Sequence, residues 1–121
     1  MISIALDAMG GDYAPAEIVK GGVIGGRETG VHLIFVGMQS LLQAELARHD
    51  LSGLDYEIVD APEVIRMDES PTKAVRRKRN ASIVVAAQLA KDGIADAVVT
   101  MGHSGAALVA GRWLLGMLPG M

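Results

Sequence analysis

The sequence predicts an α/β fold, a three-layer sandwich built around a mostly parallel sheet. Three observations predict it. Short β-rich apolar runs alternate with longer helical stretches in the order β-α-β-α-β-α-α-β-α. The strand candidates are nearly continuous apolar runs, as expected for a sheet covered on both faces. No linker, repeat or low-complexity tract divides the 121 residues, so residues 1–121 read as one α/β unit. Alternation of this kind favours parallel pairing with right-handed crossovers.

The elements follow in order. Ile2 to Leu6 forms a compact apolar run that ends at Asp7, the first strand. Pro15 fits the first helical position, where its missing N–H costs nothing, and Glu17 follows favourably in the first turn. The helix is expected from Pro15 to about Glu28. Gly21, Gly22, Gly25 and Gly26 cost it roughly 1 kcal/mol each against Ala, and they read as packing positions that let a neighbour approach. Val31 to Gly37 is the second strand. Ser40 is the expected cap of a helix reaching about His49, with Leu41, Leu42, Ala44 and Leu46 on its apolar side. Tyr56 to Val59 is the third strand. Ser70-Pro71 opens a short helix as N-cap and first position, and Asn80 or Ser82 caps the next, which runs over Ile83 to Lys91 and ends at Gly93. Ala97 to Thr100 is the fourth strand, Gly102 to Gly105 a tight loop, and a last apolar helix reaches about Leu118.

Composition removes several function classes. Half the residues are apolar and 21% are charged, enough for a core, so disorder is not expected. A chain of this size buries only about two-thirds of its extended surface, which leaves little reserve of stability. With no cysteine there is no disulfide framework, thiolate nucleophile or cysteine zinc site. Four aromatics, and 14 acidic against 11 basic residues, give no sign of nucleic-acid binding. Met1 to Asp7 lacks a basic leader and reads as a strand rather than a signal peptide. The most apolar stretch, Gly105 to Leu118, is interrupted by Arg112. As a helix it would rise only about 21 Å, short of a roughly 30 Å hydrocarbon core. A cytoplasmic location is therefore the expectation.

Two turns have the character of ligand sites, since open α/β sheets bind ligands beyond the carboxyl ends of their strands. In Asp7-Ala-Met-Gly10-Gly11-Asp12, paired glycines allow backbone N–H groups to converge on an anion ahead of a helix N-terminus. The same residues equally describe a plain turn with aspartate caps. In Met101-Gly102-His103-Ser104-Gly105-Ala106, two glycines, a hydroxyl and a helix start make an oxyanion or phosphate cradle. It narrowly misses the G-x-S-x-G nucleophile elbow, and no acid or histidine follows Ser104, so the serine reads as a cap on a ligand-facing loop. His32 and His49 look like ordinary surface or strand-edge residues, which leaves His103 as the histidine to weigh for function. Lys73, Arg76, Arg77, Lys78 and Arg79 form a local basic patch on an acidic chain. Such a patch is either a solvated helix face or an attractor for phosphate or an acidic protein. Neither G-x-x-x-x-G-K-S/T nor a G-x-G-x-x-G after a strand occurs.

The opening Asp7-Ala-Met-Gly-Gly-Asp12 with Tyr-Ala-Pro and Glu17-Ile-Val-Lys-Gly21 resembles the start of the bacterial phosphate acyltransferases of phospholipid synthesis. Collinear matches continue at Ile34-Phe-Val-Gly37, Val64 to Pro71, Ala74 to Lys78, Asn80 to Val85 and the 102–105 loop, so the resemblance spans essentially the whole chain. It implies transfer of a long-chain acyl group from acyl carrier protein to inorganic phosphate, giving an acyl phosphate used by a membrane glycerol-3-phosphate acyltransferase. It also implies a cytoplasmic homodimer working at or near the membrane, no metal or organic cofactor, and a fold like the isopropylmalate dehydrogenase and phosphotransacetylase group. Gly10, Gly11, Gly102 and Gly105 would then give close backbone approach to phosphate, with Asp7 and Asp12 ordering the first loop. His103 and Ser104 would donate to phosphate or the carbonyl oxygen, and Arg76 and Arg77 would attract phosphate or the carrier protein. The family more usually has asparagine and threonine where this chain has His103 and Ser104. Family chains are also considerably longer, so the expectation is an N-terminal portion. The alternatives are a short-chain phosphotransacetylase or related α/β enzyme, and a non-catalytic anion-binding fragment.

Overall fold

The computed structural model describes residues 2–10, 14–64 and 70–100. Four strands, β1 (Ser3–Asp7), β2 (His32–Gly37), β3 (Tyr56–Asp60) and β4 (Ala97–Thr100), form one wholly parallel sheet in the order β3-β2-β1-β4. Four helices connect them: α1 (Ala16–Thr29), α2 (Gln39–Leu46), α3 (Pro71–Arg77) and α4 (Ser82–Lys91). The strand order reverses at β1, because the chain first adds β2 and β3 on one side and then returns to place β4 on the other. Crossovers of a single hand must change face when the direction of addition reverses. The helices are distributed in that way.

Leu6, Leu33 and Phe35 face α1 and α2, where they pack with Val19, Val23, Leu42 and Leu46. The alternate residues Ala5, Ile34 and Val36 face α4 and pack with Ala86. Both faces of the central strands are thus covered, which is why β2 is apolar from Leu33 to Val36 without a polar break. Beside α4, the helix α3 contributes Ala74 and Val75 to a cluster with Ile83 and Val84, against which Val98 of β4 packs. The expected three layers and parallel sheet are present.

Several local expectations need correction. Pro15 precedes α1 as its N-cap residue, joined to Ala14 by a cis bond, and its carbonyl accepts the Val19 N–H at 2.9 Å. Ser40 lies inside α2 rather than capping it. The Gln39 N–H instead donates to Asp60 Oδ1 at 3.1 Å, a carboxylate delivered from the end of β3. The helix stops at Leu46, and Leu41 and Ala44 are exposed, so its buried stripe is Leu42 and Leu46 alone. Ser82 is the first residue of α4 and is buried; its N–H donates to the Glu63 carbonyl at 3.1 Å. Gly93 ends that helix in the left-handed region, at φ 77°, as glycine there should. The last predicted helix, Ala106 to Leu118, lies outside the described residues.

Candidate functional site

β1 and β4 are neighbours, and Asp7 and Thr100 are paired in register at their carboxyl ends. Asp7 and Thr100 are the last strand residues before the two glycine turns singled out in the sequence, and they stand side by side at the position where the strand order reverses. That is where open α/β sheets place their ligands. With β2 and β3 on one side of β1 and β4 on the other, α1 and α2 lie on one face of the sheet and α4 on the other.

The start of the first turn is closely held. By strand alternation Asp7 and Thr100 share the α4 face of the sheet. Asp7 is 2% exposed, and its Oδ2 accepts the Thr100 hydroxyl at 2.9 Å while its Oδ1 accepts the Met9 N–H at 3.2 Å. The Ala8 N–H donates to the Val36 carbonyl at 2.9 Å, extending the β1–β2 ladder by one bond. Ala8 and Gly10 are buried. Gly37 explains how Met9 fits: a Cβ there would lie 2.6 Å from Met9 Cγ, so the bare glycine at the end of β2 gives Met9 its place.

Of the predicted site residues, Asp7 and Gly10 lie at this junction. Asp7 already uses both carboxylate oxygens within the protein, which makes it an organiser of the turn. Gly11, Asp12, Gly102, His103, Ser104 and Gly105 lie outside the described residues. Arg76 and Arg77 occupy exposed positions in the last turn of α3. Lys78 departs from the simple basic patch, because its ammonium donates to the Val64 carbonyl at 3.0 Å. Thr100 is not among the residues that the sequence motifs single out. The available signal was a polar residue closing an otherwise apolar strand, matching Asp7 at the end of β1.

A depression of about 460 Å³ opens at the carboxyl ends of β2 and β3 and is lined by Met38, Gln39, Ser40, Gln43, Asp60 and Pro62. Its helix N-terminus is already served by the Asp60 carboxylate, so a bound anion there would meet a like charge.

His32 lies at a strand edge, as expected. It stands at the start of β2 with Nδ1 2.9 Å from Asp55 Oδ1 and Nε2 3.5 Å from Glu57 Oε1. The hydrogen bond to Asp55 raises its pKa above the ordinary 6.5, with Glu57 adding to the effect. This cluster sits at the amino end of the sheet, opposite the junction. Among the described residues no group of three or more histidine or acidic side chains is arranged to hold a metal ion, and no helix is long and apolar enough to cross a membrane.

A family model described as fatty acid synthesis protein matches residues 2–121. The chain belongs to that family. Members similar to it include the phosphate acyltransferase of Desulforamulus reducens, 50% identical over 121 residues, all of this chain and 36% of that protein. The phosphate acyltransferases of Herpetosiphon aurantiacus and Pelotomaculum thermopropionicum are 47% and 51% identical, over 98% and 99% of this chain and 32% and 35% of their own lengths. The chain therefore spans about one third of these family members. The resemblance carried by Asp7 to Asp12 and the later motifs is thus upheld along the whole sequence.

Proposed function

We propose that the complete protein transfers a long-chain acyl group from acyl carrier protein to inorganic phosphate, forming an acyl phosphate for phospholipid synthesis. The observation that carries the proposal is the likeness to phosphate acyltransferases along the whole chain, together with the pairing of Asp7 and Thr100, the strand ends that precede the two glycine turns, at the reversal of strand order. Phosphate is largely ionised at neutral pH and serves as its own nucleophile. One phosphate oxygen attacks the thioester carbonyl, the carbon–sulfur bond breaks, and the thiolate leaves and takes up a proton. The protein's task is to hold the two reactants together and stabilise the developing oxyanion, which suits a cysteine-free site built from backbone N–H groups.

In this reading Gly10, Gly11, Gly102 and Gly105 bring backbone close to phosphate, Asp12 orders the first turn with Asp7, and His103 and Ser104 donate to phosphate or the thioester oxygen. Arg76 and Arg77 attract phosphate or the acidic carrier protein. The proposal includes no cofactor, a homodimer with the isopropylmalate dehydrogenase and phosphotransacetylase type of fold, and a cytoplasmic place at the inner membrane face. There the product passes to a glycerol-3-phosphate acyltransferase. The full-length protein incubated with acyl carrier protein thioester should release free carrier protein only when phosphate is present. Turnover of acetyl-coenzyme A with no release of carrier protein would point to a short-chain phosphotransacetylase instead.

A further inference from the structure

The beginning of the first turn is tied down differently on its two sides. Towards β2 the tie is a main-chain bond, Ala8 N–H to the Val36 carbonyl, which any residue can make. Towards β4, Asp7 and Thr100 are paired in register, and a tie passes through their side chains. Thr100 Oγ1 donates to one oxygen of the buried Asp7 carboxylate, whose other oxygen accepts the Met9 N–H. A single carboxylate therefore joins the last residue of β4 to backbone inside the first turn. The link depends on a hydroxyl at position 100.

We infer that Thr100 is a positioning residue of the acyl-transfer site, holding the first glycine turn in register with the end of β4 through Asp7. The inference rests on the proposed acyl transfer to phosphate. Its physical basis is that the two turns must present their donors to one phosphate and one carbonyl oxygen together. A relative shift of about 1 Å between such groups is enough to cost on the order of a hundredfold in rate. Asp7 and Thr100 are paired in register, and the Asp7 carboxylate carries the alignment from the Thr100 hydroxyl to the Met9 N–H inside the turn. Thr100 acts through Asp7, so the inference requires no contact of its own with either substrate.

The test compares Thr100→Val with Thr100→Ser in the full-length protein. Valine keeps the branched shape and removes the hydroxyl, whereas serine keeps the hydroxyl and removes the methyl group. With positioning through the hydroxyl, kcat for phosphate-dependent release of carrier protein falls at least tenfold in Thr100→Val and stays within about threefold of the parent in Thr100→Ser. A role limited to packing at the strand end gives the reverse order, with Val near the parent and Ser impaired, and overturns the inference. So does a Val variant with parental kcat. Amide exchange at Met9 should quicken in Thr100→Val and not in Thr100→Ser; equal exchange in both would also count against it. If the Val variant does not fold, Thr100→Ala against Thr100→Ser repeats the comparison: an active Ser variant beside an impaired Ala variant supports the inference, and equal activities overturn it. A parent protein that releases no carrier protein sinks the acyl-transfer reading along with this one. An active parent with an unaffected Val variant sinks this one alone.

Discussion

A Cβ placed on Gly22 of α1 would lie 2.9 Å from Phe35 Cε1 and 3.0 Å from Leu6 Cδ2, whereas one on Gly21 or Gly25 would meet nothing within 4 Å. Phe35 is fully buried and has no room to give. Gly22→Ala should therefore destabilise the chain by about 1–3 kcal/mol, the usual cost of overpacking a filled core. Gly21→Ala and Gly25→Ala should each stabilise it by about 0.4–1 kcal/mol, through helix propensity and a less flexible unfolded chain. Urea unfolding of the three single variants checks both signs. All four helix glycines read alike in the sequence, as packing positions, because propensity is blind to which side of a helix meets the sheet. His32 supplies a second residue-scale prediction. Its folded pKa is raised, chiefly by the hydrogen bond to Asp55, so the folded state holds the proton more tightly than the unfolded chain. That contribution is fully present below the unfolded value near 6.5 and is lost as pH rises through the folded value. The stability difference between the parent and His32→Gln should accordingly be larger at about pH 5.5 than at about pH 8, by urea midpoint at each pH. A difference that does not vary with pH would mean that His32 contributes only packing.

At the scale of the elements, helix starts were the least legible feature. Ser40 has the chemistry of an N-cap, yet α2 begins one residue before it because Asp60, more than twenty positions later in the chain, supplies the carboxylate. Local sequence cannot register a cap that arrives from the end of another strand. Asp60→Ala should lower stability by about 1 kcal/mol, the typical cost of losing a capping side chain, and Asp60→Asn should restore most of it, since an amide oxygen still accepts the N–H. Chemical denaturation of the pair distinguishes a capping role from a general charge effect. The strands were more legible. Ala97 to Thr100 was predicted to the residue and Tyr56 to Val59 to within one, because alternation and β-branching act over the few residues a strand contains. Ser70 and Pro71 also open α3 where expected, with proline in the first turn.

At the scale of the whole molecule, the reversal of strand order governs both the site and the exposed surface. With α1 and α2 on one face and α4 on the other, a groove of about 480 Å³ remains beside α1, lined among others by Leu6, Ile18, Gly21, Gly25 and Val99. Val99 is 44% exposed there, although it sits in an apolar strand. The high apolar fraction noted in the sequence is thus not wholly buried among the described residues. The candidate site was legible as two separate glycine turns. By itself the sequence determined the element types, the layer architecture and the family, because periodicity, turn chemistry and motif spacing are local properties of the chain. Only the tertiary structure decided that the two turns begin at one junction, that Asp7 is occupied by Thr100 and Met9, and that Asp60 caps α2. Each of these joins residues brought together by strand order, and strand order is set by how crossovers of one hand pack both faces of the sheet, which no local window of sequence contains.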